Sequence, residues 1–314
     1  MAVDATQPYW LVGLWWREWR FACCDVAVTL RDVDPAELRL VAEQLAAEAA
    51  EFVRLRRSEV FGAGRPDPGD AAVQSKSTRT DPVTVVDTET ELLLRSRLTR
   101  LRPGESVLGE EGGGQADDPD GRSVTWVLDP IDGTVNFVYA IPAYAVSVAA
   151  QVDGVSVAGA VADVTGARVY SAGLGIGAHV IDAAGRRDAL HCNTIDDLSM
   201  ALVGTGFGYS PRRRTAQAAL LAGLLPHVRD IRRIGSASLD LCMVAAGRLD
   251  AHYEHGLHVW DWAAGALIAA EAGAQVQLPR SDGPALTVAA APGVAGELRD
   301  LLERLGPGDE LREA

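Results

Sequence analysis

The chain has 314 residues, 48% of them hydrophobic, and a formal net charge of −14. That length and apolar share supply a large buried core, as one domain or two closely packed halves, and exclude a chain that is disordered over most of its length. The acidic balance disfavours nonspecific attraction to nucleic acid or to anionic membrane and makes cations the natural guests.

In chain order, Trp10, Trp15, Trp16 and Trp19 crowd the stretch WLVGLWWREWR. Its apolar run is broken by Arg17, Glu18 and Arg20 and is too short to cross a bilayer. Residues 1–34 therefore read as a separate, poorly ordered N-terminal extension, with an interfacial helix as the competing reading. A helix start follows at DPAE, where Asp34 can cap, Pro35 suits the first turn and Glu37 stands at the capping-box position, so the folded domain is expected over 35–314. Cys23, Cys24, Cys192 and Cys242 form no CxxC pair, and there is no recognisable secretory signal. The expected compartment is the reducing cytoplasm, without a structural disulfide.

Residues 35–57 read as a helix, and 62–82 as a long loop rich in Gly, Pro and polar residues. A strand before Asp87, a helix from about Thr88 to Leu101 and a short strand ending at VLGEEG come next. From Ala145 to Asp182 the segments AVSVAAQV, VSVAGAVADV, RVYSAGL and GAHVID, broken by Asp-Gly and Thr-Gly-Ala turns, predict an antiparallel meander. Helices PRRRTAQAALLAGLL, SLDLCMVAAG and DWAAGALIAAEAG then alternate with strands RLDAHYE, AQVQL and LTVAA. The class is α+β, without strict βαβ repetition.

The stretch WVLDPIDGTVNF carries the chemistry. It places Asp129 and Asp132 around Pro130 where a strand stops and Gly133-Thr134 opens a helix. Carboxylate oxygens suit a hard cation such as Mg²⁺, and free N–H groups at a helix start suit phosphate. Asp132 as a simple helix cap and Asp129 as a turn residue is the plainer alternative. Other acids share the same context: Asp87 after a strand, Glu110 and Glu111 after the apolar VLG, and Asp261 at another helix start.

WVLDPIDGTVNFVY and WDWAAGALIAAEAGA resemble the two signatures of the inositol monophosphatase family. The segments LGEEG, DPVTVVDTETE and RRIGSASLDLCMVAAGRLDAHYE fall in the family's order, over roughly 36–295. The nearest likeness is to the bacterial SuhB-type members. The resemblance implies a layered αβαβα sandwich, a Mg²⁺-dependent phosphatase of small phosphate monoesters, a homodimer and inhibition by Li⁺. It implies Glu110, Asp129 and the Ile131 carbonyl as ligands of a first metal, and Asp129, Asp132 and Asp261 as ligands of a second. It implies that Asp87 serves a third, looser site through water. It further implies that Glu110 with Thr134 orients the attacking water, and that Gly133 and Thr134 N–H groups hold phosphate oxygens.

Lys76 is the only lysine in the chain and lies eleven positions before Asp87, as does the active-site-loop lysine of the family. A compact ammonium approaches water or phosphate as a point charge, which makes Lys76 a candidate catalytic residue, against the plainer reading of a solvated loop lysine. Glu254, seven before Asp261, is implied to contact a polyol hydroxyl in a pocket with Gly235, Ser236 and Ala237, and Asp132 and Asp261 are implied to face the substrate as well. Inositol 1-phosphate is the first-choice ester and histidinol phosphate the second, while a SuhB-type role as a partner of the transcription machinery is a different class of function.

Other features are discounted. On a strand, His255 in HYEHGLH faces away from His252 and His258. GTGFG (204–208) and GLGIG (173–177) read as turns, Arg212, Arg213 and Arg214 as a solvated helix start or dimer contact, and Cys242 and Met243 as core. Neither direct nucleic-acid binding nor membrane binding is expected.

Overall fold

The computed structural model describes residues 33–62, 64–66, 70–76, 80–114, 124–279 and 286–306. The tryptophan cluster lies outside them, as do Cys23, Cys24 and parts of the 62–82 loop.

The first helix, α1 (Pro35–Phe61), begins where the Asp34 carboxylate accepts the Ala36 N–H at 2.9 Å, with Pro35 in the first turn. Glu37 does not close a capping box; it accepts from Arg102 at 2.7 Å. The helix runs past residue 57 because Arg57 is not a frayed end. Its guanidinium donates to the carbonyls of Gly62, Gly64 and Phe137 at 3.0–3.1 Å, satisfying the chain as it leaves the helix. The 62–82 stretch is not all loop: β1 (Val73–Ser75) pairs antiparallel with β2 (Pro82–Thr84). Helix α2 (Val85–Leu101) starts three residues before the expected Thr88, because Thr84 and Asp87 form a reciprocal capping box. Asp87 thus belongs to the first helical turn.

Seven strands form one sheet: β3 (Ser106–Gly109), β4 (Thr125–Asp132), β5 (Ala145–Val152), β6 (Val155–Asp163), β7 (Arg168–Gly173), β8 (Ala178–Ile181) and β9 (Arg187–Ala189), in that order. Only β3–β4 is parallel; β5 to β8 form the expected meander, and β4 and β9 extend it antiparallel on either side. A second sheet orders β11 (Asp230–Arg232), β10 (Leu202–Thr205), β12 (Ala251–His255), β14 (Leu286–Ala290) and β13 (Gln275–Gln277). Between Asp132 and β5 lies α3 (Thr134–Tyr139); α4 (Pro211–Leu224), α5 (Ala237–Ala245), α6 (Val259–Glu271) and α7 (Pro292–Leu305) follow.

Strand alternation sorts these elements into layers. Trp126 and Leu128 of β4 enter the core made with α1 and α2, whereas Val127 enters the core made with α5 and α6. The other side of α5 and α6 meets the small sheet through Leu241, Val244, Ala266 and Ala289. That sheet's far face packs on α4 and α7 through Val203, Leu220, Tyr253, Val288 and Leu298. The result is the layered αβαβα sandwich. β5 is buried along its whole length, so its run is mostly apolar and only Ser147 and Gln151 interrupt it. Among the described residues, no helix is long and apolar enough to cross a membrane.

Distant elements are joined by Glu43 of α1. Its carboxylate receives Arg187 of β9 at 2.9 and 2.7 Å and the Ser171 hydroxyl of β7 at 2.6 Å. Burial alone pushes this carboxyl up, but the bonds from Arg187 and Ser171 outweigh it and hold it below its ordinary value of 4.5. A carboxyl lowered in the fold stabilises above its unfolded value, and that contribution is lost as pH falls through the folded one. Glu43→Ala is therefore expected to cost about 2–3 kcal/mol in urea unfolding at pH 7. The gap to wild type should narrow as pH is taken from 5 to about 3; a constant gap would show that the effect is packing and not the ion pair.

Candidate active site

Asp129 and Asp132 are three residues apart, and on a regular strand they would face opposite sides of the sheet. The ladder resolves this. Asp129 stands opposite Ser147 and Asp132 opposite Ala145, so three steps on β4 meet two on β5. The extra residue is a bulge that turns both carboxylates to one side, and Pro130, with no N–H to offer, sits where pairing is broken. Gly133 then carries the chain into α3 at φ +98°, where a side chain would be strained and its Cβ would lie 3.0 Å from the Gly235 carbonyl.

Four acids converge here: Asp129 and Asp132 from β4, Asp261 from α6 and Glu110 from the loop after β3. Asp129, 1% exposed, accepts from the Ile131 N–H at 3.0 Å. Asp132 accepts from the hydroxyl of Ser236 at 2.6 Å and from the N–H and hydroxyl of Ser238, so its charge also caps α5. Asp261, in the first turn of α6, accepts from the His258 N–H at 2.6 Å. Glu110 follows β3 and is tied to β4 through its own N–H, which donates to the Leu128 carbonyl at 3.2 Å. Burial raises the carboxyls of Asp129, Asp132 and Asp261. For Asp129 and Asp261 the neighbouring carboxylates raise them further, well above the ordinary range.

Lys76 brings the one ammonium of the chain into this field, with Nζ 2.7 Å from Glu110 and 2.6 Å from Glu111. Burial works against its charge, yet the two glutamates outweigh it and raise its pKa. Asp87 is fully buried. Its Oδ2 accepts from the Thr84 N–H and hydroxyl, and its Oδ1 lies 3.1 Å from the Thr134 hydroxyl, which is also 3.1 Å from the Ile131 carbonyl. One hydroxyl proton can serve only one of those acceptors at a time. Burial, partly offset by the Thr84 hydroxyl, pushes the Asp87 carboxyl up to about 7.

A cleft of about 600 Å³ gathers Lys76, Glu110, Asp129, Ile131, Asp132, Gly133, Thr134, Gly235, Ser236, Ala237, Glu254 and Asp261, which are the site residues expected from the sequence apart from Asp87. Asp87 stands behind Thr134. A larger neighbouring cleft of about 990 Å³, lined by Arg65, Tyr139, Phe207, Tyr209, Arg214 and Arg233, contains no carboxylate among its lining residues, so the chemistry belongs to the smaller one.

Sequence reasoning missed part of this wall. GTGFG is more than a turn: Gly206, Phe207 and Gly208 line the cleft, and a Cβ on Gly206 would collide with the Glu254 carboxylate. Arg213 is not simply solvated; it faces the cleft and crowds Gly208 and Gly256. The histidine reading also changes. Gly256, at φ +81°, ends the strand, so His255 and His258 both reach the cleft and it is His252 that turns inward. Glu91 of α2 was overlooked. Its buried carboxylate accepts from the N–H groups of Glu111 and Gly112 at 2.8 and 2.9 Å and from Arg95 at 2.7 Å, holding the loop that carries Glu110. The signal available was its spacing, four residues after Asp87 on the same helix face.

The donor set is all oxygen, which fits a hard divalent cation and not a soft one. Among the described residues, no three acidic, His or Cys side chains stand at metal-ligating geometry. Each carboxylate has its own protein donor or Lys76. A divalent cation among them would offset the repulsion between their charges.

Comparison with known proteins agrees with this architecture. Residues 34–307 match the model of the Inositol monophosphatase family. An inositol-1-monophosphatase of Mycobacterium leprae is 68% identical over 283 residues, spanning 88% of this chain and 97% of that protein. The solved structure of Mycobacterium tuberculosis SuhB is 62% identical, with a TM-score of 0.74 over 87% of this chain and 98% of that one. At greater distance, a protein of Pasteurella multocida named Nus factor SuhB is 34% identical, covering 82% of this chain and 95% of its own length. A bulged strand bearing paired aspartates, the five-layer sandwich and a family match over nearly the whole described chain lead to one conclusion: the protein belongs to the inositol monophosphatase family and is an enzyme of the phosphatase class.

Proposed function

We propose that the protein is a Mg²⁺-dependent phosphatase that hydrolyses myo-inositol 1-phosphate and related small phosphate monoesters to the free alcohol and phosphate, working as a cytoplasmic, Li⁺-sensitive homodimer. The observation that carries this reading is the convergence of Glu110, Asp129, Asp132 and Asp261 on one cleft, beside the helix start at Gly133-Thr134. When bound, divalent cations supply positive charge against the phosphoryl group and acidify water at the site.

Glu110, Asp129 and the Ile131 carbonyl would hold one cation, and Asp129, Asp132 and Asp261 another, with Asp87 near a third. Asp129, turned into the cleft by the bulge, would be the shared ligand. The N–H groups of Gly133 and Thr134 are suited to phosphate oxygens, being at a helix start without side-chain caps. The Thr134 hydroxyl, set between Asp87 and the Ile131 carbonyl, can donate its hydrogen bond to Asp87 while its oxygen accepts one from a water, which orients that water without a proton leaving Thr134. Lys76 holds Glu110 in place by its ion pair, and can meet an anionic oxygen as a point charge. Glu254, near the end of β12, lines the same cleft, where a carboxyl can select a polyol by hydrogen bonding to its hydroxyls. Gly235, Ser236 and Ala237 line the same end.

Asp129→Asn is expected to abolish phosphate release, by at least about a thousandfold in kcat, because a shared ligand is worth several kcal/mol. It should also raise the melting temperature of the protein in EDTA, since it replaces a carboxyl whose ionisation burial and its neighbours oppose with a group that never ionises. Activity within about tenfold of wild type would sink the two-cation reading.

The role of Glu254 is tested by comparing esters. Glu254→Gln should lower kcat/KM for myo-inositol 1-phosphate by tenfold or more, an order-of-magnitude expectation for a lost polyol contact, and leave p-nitrophenyl phosphate nearly unchanged. An equal fall on both would remove Glu254 from the alcohol pocket. A preferential loss on histidinol phosphate would make that ester the substrate of choice.

A further inference from the structure

Behind Glu254 runs a line of buried polar groups that the proposed chemistry does not use. His252 and Glu254 alternate on β12 toward the same face, the one turned to α5, and Thr287 is paired with Glu254 across the sheet. Asp240 of α5 meets them from the opposite side. His252 is 0% exposed and Asp240 1% exposed. The Nδ1 of His252 lies 3.9 Å from Asp240 Oδ2, and its Nε2 lies 3.7 Å from Glu254 Oε2. Both ring nitrogens, Asp240 Oδ1 and Thr287 Oγ1 are buried and have no hydrogen-bond partner among the described residues.

A histidine placed only to fill a core should either be satisfied or be replaced by an apolar residue, because buried polar groups without partners are destabilising. Here the ring stands between two carboxyls, one inside the core and one in the cleft. The neighbouring strand makes room for that arrangement. Gly204 of β10 is opposite His252, and a Cβ there would lie 3.2 Å from His252 Nδ1, 3.0 Å from Asp240 Oδ1 and 2.8 Å from the Leu249 side chain. Gly206 makes the same allowance for Glu254. The alternating glycines of GTGFG therefore flank one continuous polar line.

We propose that His252 is a positioning residue for alcohol selection: its imidazole links the Glu254 carboxyl in the cleft to Asp240 in the core, and so fixes how Glu254 meets a substrate hydroxyl. The inference rests on the reading of Glu254 as the polyol contact. A neutral imidazole has one N–H and one acceptor nitrogen, so it bonds a different partner at each end and holds the two carboxyls in a defined order. Burial keeps the ring neutral by pulling its pKa down to about 3, and burial likewise lifts Glu254 to about 8, which lets the Glu254 carboxyl donate to Nε2 while Nδ1–H faces Asp240. The separations lie beyond direct hydrogen bonding, and a side-chain movement of about 1 Å closes them. Without the ring, Glu254 loses its support from behind while every proposed cation ligand stays untouched.

The test uses the full chain with Mg²⁺ and compares kcat/KM for myo-inositol 1-phosphate and p-nitrophenyl phosphate in His252→Leu, His252→Gln, Gly204→Ala, Glu254→Gln and the double variant His252→Leu/Glu254→Gln. His252→Leu is expected to lower the inositol ester by about tenfold while the simple ester stays within about twofold, the loss appearing mainly in KM. His252→Gln, whose amide can reach the Glu254 side, should recover most of it. The double variant should show the same ester ratio as Glu254→Gln alone, as expected for residues acting through one contact. Should His252→Leu fail to fold, Gly204→Ala presses on the same ring and on Asp240 from outside the cleft, and the same selective loss is expected. A parallel fall on both esters, or a ratio unchanged by the His252 and Gly204 variants while Glu254→Gln changes it, overturns the role of His252. A ratio unchanged in Glu254→Gln itself removes the polyol-contact reading, and this inference falls with it.

Discussion

The constraint on which the site depends is electrostatic repulsion in a place where water cannot screen it. Asp129 and Asp132 are buried, Asp261 is half-buried in the first turn of α6, Glu110 adds its charge, and the one lysine of the chain is placed against the glutamates. Buried carboxylates that close to one another are unfavourable unless they are protonated or face a cation. The fold tolerates the cluster because each acid is fixed by a rigid element: a bulge on β4, the starts of α5 and α6, and the loop after β3 held by Glu91. The five-layer sandwich is the means of bringing those four places to one point.

The same acids also serve as local structure, which is why the plainer reading of the sequence was not empty. Asp132 does cap a helix, but the helix is α5, more than a hundred residues away, and not α3 directly after it. Asp261 closes the start of α6, and Asp87 closes a capping box with Thr84. Capping and charge concentration are therefore one device: a helix N-terminus steadies a carboxylate, and the carboxylate is kept in the cleft by the helix.

Much of this was legible in the sequence. The turns of the meander, the cap at Asp34 and the apolar run into Asp129 depend on local chemistry, and local chemistry is written in adjacent residues. What was not legible depended on partners far away. The C-terminal helix α7 was missed although Val294, Leu298, Leu301 and Leu302 carry helical spacing, because its start at Ala291-Pro292 has no side-chain cap. Strands β9 and β11 are three residues long and mostly exposed, and so carry no alternation to read. Gly206 looked like a turn glycine, since nothing next to it in sequence reveals that Glu254 lies over it. His255 and His258 were assigned by strand alternation that Gly256 interrupts. The likeness to the family supplied the site residues. The structure added the bulge, which explains how two aspartates three residues apart can serve one centre.

The central claim is that the buried carboxylate cluster is stable in function only with divalent cations. Isothermal titration calorimetry of Mg²⁺ into the metal-free protein, run in two buffers of different ionisation enthalpy, tests it most directly. The account predicts saturable binding of about two to three Mg²⁺ per chain, with proton release revealed by a buffer-dependent heat, because carboxyls raised by burial must ionise to take the metal. Absence of saturable binding, or binding whose heat is the same in both buffers, would contradict it.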